Sequence, residues 1–151
     1  MNTRLRPEFV HIVPQVSCKK RVLQTLAELA AKQTGLDERV ILDTLLAREK
    51  LGSTGVGRGV AIPHGKLDDL DRVVMMFVKL NKPVDFDSVD EAPVDLLFLL
   101  LAPPDAGTEH LKALALVSRL MRNQNFCDKL RGANDSDTLY AMICPPLEDA
   151  A

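Results

Sequence analysis

The sequence predicts an α/β fold, a mixed central β-sheet flanked by helices on both faces. Residues 94–102 (VDLLFLLLA) are almost wholly apolar after Asp95, the mark of a strand covered on both sides. Residues 72–80 (RVVMMFVKL) form a second run of apolar and β-branched side chains. Around these runs, apolar residues recur at helical spacing within residues 17–50 and again within 108–121.

In chain order, residues 1–14 read as a loosely ordered lead-in with one short strand near 9–13. Ser17 is placed to cap a helix whose Val22, Leu23, Leu26, Leu29 and Ala30 share a face, and Gly35 can end it. Asp37 offers a second cap before Val40, Ile41, Leu45 and Leu46, with Arg48 in the last turn of that helix near Lys50. A glycine-rich loop follows (GSTGVGRG, residues 52–59), then a short strand over 59–62 leading into Pro63 and His64. Residues 83–86 suggest a brief edge strand between the two apolar runs. After Pro103-Pro104, Thr108 is expected to cap a helix with Leu111, Leu114, Val117 and Met121 on one face. Short helices at about 125–130 and 136–143 complete the reading, followed by Pro145-Pro146 and a flexible acidic tail over 145–151.

A chain of 151 residues, 46% hydrophobic and 26% charged, makes one domain over 1–151 with its core at about 17–143. It can bury roughly two thirds of its unfolded surface without a staple. A net charge of -2 argues against a nucleic-acid binder, which shows a dense basic face. Cys18, Cys127 and Cys144 are odd in number and lack a C-x-x-C pair, so a reducing compartment fits. The longest apolar stretch, 96–102, is far short of the ~20 residues a membrane span needs, and no secretory pattern opens the chain. A cytoplasmic protein without membrane insertion is expected.

The most informative feature is Ile62-Pro63-His64-Gly65 behind the glycine-rich run. Proline fixes its own φ and lacks an N–H, while glycine beyond leaves the imidazole unobstructed. Such a histidine suits phosphoryl acceptance if one ring nitrogen keeps a free lone pair and a fixed acceptor holds the other as N–H. A backbone carbonyl nearby can be that acceptor. Arg48 can grip phosphoryl oxygens with its planar fork, and at ~4 Å and an effective dielectric of ~20 one such pair is worth about 4 kcal/mol before desolvation. His110, in the first turn of a helix, can donate to the same anion while neutral. Ser53 and Thr54 carry hydroxyls, and Gly55 an open amide, in the loop before it.

Other chemistries fit less well. The run lacks G-x-G-x-x-G spacing and no Gly-Lys-Ser/Thr follows, so nucleotide binding is disfavoured. His11, His64 and His110 are scattered without H-E-x-x-H pairing, and Asp68, Asp69 and Asp71 read as a solvated turn, so neither a metal nor another cofactor is expected. Lys19-Lys20-Arg21 reads as a solvated helix start.

Residues 49–65 (EKLGSTGVGRGVAIPHG), with 93–101 and 107–120 (GTEHLKALALVSRL), resemble the enzyme IIA proteins of the bacterial phosphoenolpyruvate phosphotransferase system, fructose/mannitol class, and most of all its nitrogen-regulatory group. The resemblance implies that His64 is phosphorylated on Nε2 by an HPr-type phosphocarrier, with Arg48 and His110 as helpers. It also implies regulatory targets such as sensor kinases or potassium transporters. Arg58 departs from the asparagine of many relatives, and its charge bears on partner docking, of acidic partners most. Two alternatives remain: a sugar-specific enzyme IIA passing the group to a IIB component, and a module that binds an anion without covalent chemistry.

Overall fold

The computed structural model describes residues 5–150; residues 1–4 of the expected lead-in and residue 151 of the tail lie outside the described residues. Its sheet is built around β6 (Val94–Ala102), every residue of which is buried except the partly exposed Asp95. The antiparallel partner β5 (Val74–Val84) puts Phe77 opposite Phe98 with their rings edge to face at 5.6 Å, a favourable aromatic geometry. β1 (Val10–Val13) runs parallel to β5 at the sheet edge. On its other side, β6 pairs in parallel with β3 (Val60–Ala61) and, further along, with β4 (His64–Lys66). β2 (Gly55–Gly57) closes that edge antiparallel to β3.

Helices cover the sheet in two groups. α1 (Lys19–Thr34) packs on α2 (Glu38–Lys50), which lies against β4. α3 (Gly107–Met121) packs on β6, α4 (Gln124–Arg131) and α5 (Ser136–Ala150), and α5 covers β1. Gly35 ends α1 with a left-handed φ of 77°, as the sequence suggested, and Asp37 caps α2 through the N–H groups of Arg39 and Val40. No helix among the described residues is long and apolar enough to cross a membrane.

Tertiary context overrides several local readings. β5 runs on to Val84 and absorbs the first half of the edge strand expected at 83–86, and residues 85 and 86 are not strand. The glycine-rich run is a β2–β3 hairpin for much of its length, because Gly57 and Gly59 take φ of 99° and 80° around Arg58 and turn the chain back on itself. α1 starts after Cys18, not Ser17, since the Cys18 carbonyl receives the Val22 N–H at 3.0 Å. α3 starts after Ala106, not Thr108, because the Ala106 carbonyl already accepts the His110 N–H at 2.7 Å. The expected tail from 145 is instead helical: α5 continues through Pro145 and Pro146 to Ala150, and burial of Leu147 accompanies the continuation.

Lys79 shows how the sheet and the second helical group are joined. Its side chain is buried on β5, and its Nζ donates to the carbonyls of Arg131 and Ala133 at 2.7 and 2.6 Å. These carbonyls lie at the C-terminal end of α4, where a cation meets the negative end of the helix dipole.

Candidate functional site

The site forms where the edge of the sheet along β6 is interrupted. β3 ends at Ala61 and β4 begins at His64, so Ile62 and Pro63 break the ladder between two segments that both pair with β6. Proline has no N–H to give, but its carbonyl still accepts from Leu100 at 3.0 Å, which keeps the strand in register across the break. His64 therefore follows one short strand, as expected, and also opens another. Gly65 lets α2 approach β4 closely, because a Cβ there would come within 2.5 Å of the Thr44 Cγ2.

The two nitrogens of His64 have partners with fixed roles. Nδ1 lies 2.9 Å from the Ile62 carbonyl, which can only accept. Nε2 lies 3.2 Å from the Arg48 Nε, which can only donate. Both contacts demand the same tautomer, with the proton on Nδ1 and a lone pair on Nε2. The acceptor carbonyl anticipated from the sequence is thus two residues upstream of the imidazole. Arg48 is held in turn by a 2.9 Å bond from Nη1 to the Gly52 carbonyl.

His110 comes to the same place from α3. Its ring centroid is 5.7 Å from that of His64, and the residue is 7% exposed. Burial, then the neighbouring His64, then Lys66 hold its pKa below the usual histidine value, which favours the neutral ring. Its buried Nδ1 has no hydrogen-bond partner among the described residues. A polar atom of this kind is expected to find a partner.

Ser53, Thr54 and Gly55 have a different local role from the one their position suggested. The Thr54 hydroxyl and N–H both donate to the Glu49 carboxylate, and the residue is buried. The Ser53 hydroxyl donates to the Phe86 carbonyl at 2.7 Å and accepts from the Gly55 N–H at 3.0 Å. These groups shape the loop from within. Glu49, whose role the sequence does not show, ties the loop to both first helices: its carboxylate also meets the Lys19 Nζ at 3.1 Å. Lys19 is consequently not the freely solvated residue the basic triplet implied. A usable signal for Glu49 did exist, since a carboxylate in the last turn of a helix opposes the dipole and calls for a specific partner.

Among the described residues, no group of three or more His, Cys, Asp and Glu side chains is arranged to hold a metal. His11 lies on β1, away from this constellation, with its pKa lowered mainly by burial.

Comparison with known proteins shows which family the chain resembles. Residues 4–144 match the family described as "Phosphoenolpyruvate-dependent sugar phosphotransferase system, EIIA 2". The chain is 50% identical over 145 residues to a nitrogen regulatory protein of Bradyrhizobium diazoefficiens, covering 96% of this chain and 95% of the relative. It is 48% identical over 126 residues to a nitrogen regulatory protein of Escherichia coli K12, covering 83% of this chain and 77% of the relative. The crystal structure of nitrogen regulatory protein IIA-Ntr from Neisseria meningitidis superposes with a TM-score of 0.84 at 32% identity, over 91% of this chain and 94% of that one.

Proposed function

The chain belongs to the EIIA 2 family of the phosphoenolpyruvate-dependent sugar phosphotransferase system, and from that membership we propose a cytoplasmic phosphoryl carrier that accepts its group on Nε2 of His64. An HPr-type phosphocarrier is the donor. The two charge states are read by partner proteins, such as sensor kinases or potassium transporters, and the name shared by the relatives supports a role in nitrogen regulation. The tautomer of His64 carries this reading, because both of its nitrogens are held as a phosphoryl acceptor requires.

In the transfer, the Nε2 lone pair attacks phosphorus while the bond from phosphorus to the donor imidazole breaks, leaving its electron pair on the donor nitrogen. The attacking nitrogen carries no proton, so none has to leave. Positive charge that develops on the His64 ring is met through Nδ1–H by the Ile62 carbonyl. Arg48 leaves Nε2 as phosphorus arrives and turns its guanidinium to the phosphoryl oxygens, which need charge stabilisation in a loose transition state. Neutral His110 donates to one of these oxygens. Ser53, Thr54 and Gly55 hold the loop that positions Arg48 through Gly52.

The test is incubation with phosphoenolpyruvate, enzyme I and an HPr-type carrier, followed by intact-mass measurement. Wild type gains one phosphoryl group and His64→Ala gains none. Arg48→Ala slows the gain about 100-fold, the scale of losing one preorganised charge stabiliser, and His110→Ala slows it about tenfold. Phosphorylation of His64→Ala, or an unmodified wild type, defeats the assignment.

A further inference from the structure

Glu49 bonds to both branches of backbone that hold the reacting side chains. Its main-chain carbonyl accepts the Gly52 N–H at 3.1 Å, and its carboxylate accepts the Thr54 N–H at 3.0 Å together with the Thr54 hydroxyl. From Gly52 one branch leads to Arg48, whose Nη1 donates to the Gly52 carbonyl at 2.9 Å. From Thr54 the other leads to His64: the Thr54 carbonyl accepts the Ile62 N–H at 2.9 Å, and the Ile62 carbonyl accepts the His64 Nδ1–H at 2.9 Å. Apolar packing does not anchor the start of this span. Leu51 is 85% exposed, and Gly52 has no side chain and faces open space at a φ of 144°.

The carboxylate stands at a costly position. Its side chain is only 6% exposed, and it lies in the last turn of α2, where a negative charge opposes the helix dipole. A buried charge needs a partner, and Lys19 supplies one at 3.1 Å, with its Nζ also 4.8 Å from the centre of the Phe86 ring. With Lys19 and the two Thr54 groups the carboxylate has three donors. Hydrogen bonds to a charged acceptor are about twice as strong as neutral ones, so a carboxylate holds this span more firmly than an amide or a hydroxyl would.

We propose that Glu49 is a positioning residue for phosphoryl transfer, which sets the Arg48 guanidinium against the His64 imidazole through Gly52 on one side and Thr54 with Ile62 on the other. This role rests on the phosphoryl-carrier reading of His64. Before transfer Arg48 has two anchors, the His64 Nε2 and the Gly52 carbonyl. Phosphorus takes the first. The placement of the guanidinium on the phosphoryl oxygens then depends on the second, and a shift of about 1 Å in such a group can cost about 100-fold in rate.

The test measures phosphoryl transfer from phosphoenolpyruvate through enzyme I and an HPr-type carrier, read by intact mass, in a double-mutant cycle of Glu49 with Arg48. Glu49→Ala lowers kcat about tenfold and leaves KM for the carrier unchanged, because the fault lies at the reacting atoms. In the Arg48→Ala background the same substitution lowers kcat less than about twofold, since no guanidinium is left to place. Glu49→Gln keeps an acceptor for the Thr54 N–H and returns kcat to within about threefold of wild type. Thr54→Val removes one donor at nearly constant volume and slows transfer about threefold, again only while Arg48 is present, and it carries the cycle if Glu49→Ala fails to fold. Equal slowing in both backgrounds overturns the proposal, because it reports general damage to the fold. A wild-type rate for Glu49→Ala overturns it as well. A wild type that gains no phosphoryl group instead refutes the phosphoryl-carrier reading itself.

Discussion

At the scale of single residues, the chemistry of the site depends on which nitrogen of His64 carries the proton. A carbonyl and a guanidinium, each with one possible role, select Nδ1–H. Nitrogen-15 spectra of the ring at about pH 8 are expected to show Nε2 as the unprotonated nitrogen, the neutral form in which histidine exposes a lone pair. Observation of an Nε2–H ring as the main neutral species would contradict the geometry. The sequence made His64, Arg48 and His110 legible because each chemistry has a short list of suitable side chains. It did not reveal the roles of Glu49 and Lys19, whose bond joins residues far apart in the chain. Nor did it show that the Thr54 hydroxyl turns to Glu49, since a loop serine or threonine looks the same in sequence whether it faces inward or outward.

At the scale of elements, the placement of His64 depends on how closely α2 lies over β4. Gly65→Ala inserts a methyl against the Thr44 Cγ2 and is expected to destabilise the protein by about 1–3 kcal/mol, the usual penalty for overpacking. Thr44→Ser removes that methyl but keeps the hydroxyl, which donates to the Val40 carbonyl at 2.8 Å. The double variant should regain most of the loss in urea denaturation, and a double variant no more stable than Gly65→Ala would show that the contact is not the cause. The long apolar strand β6 and the caps Asp37 and Gly35 were readable because they follow from local chemistry. The three-residue strands β2 and β4 were not, because they are defined by partners rather than by their own residues. The continuation of α5 past two prolines was hidden for the same reason: local preference stops the helix, while burial of Leu147 favours extending it.

At the scale of the whole molecule, acid should weaken the fold. His11 and His110 both have pKa values held below 6.5, with burial the largest cause in each. In the unfolded chain the same rings protonate near 6.5, so below that pH the unfolded state binds protons that the folded state resists. The stability they contribute is therefore present above about 6.5 and is lost as the pH falls through that value toward the folded pKa. Asp90 and Asp135, whose carboxylates are held low chiefly by backbone N–H groups, act in the same direction at lower pH. The urea midpoint should be lower at about pH 5.5 than at about pH 7.5, and His110→Gln should reduce that difference. An equal midpoint at both values would show that neither ring resists protonation in the native protein.

The hydrogen bond from His64 to the backbone just before its strand has one more effect. The reference against which the imidazole is aligned lies two residues away in the same stretch of backbone, so a visiting protein can push on the surrounding loops without rotating the ring. Proteins of different shapes can then approach from different angles and meet the same nitrogen pointing the same way.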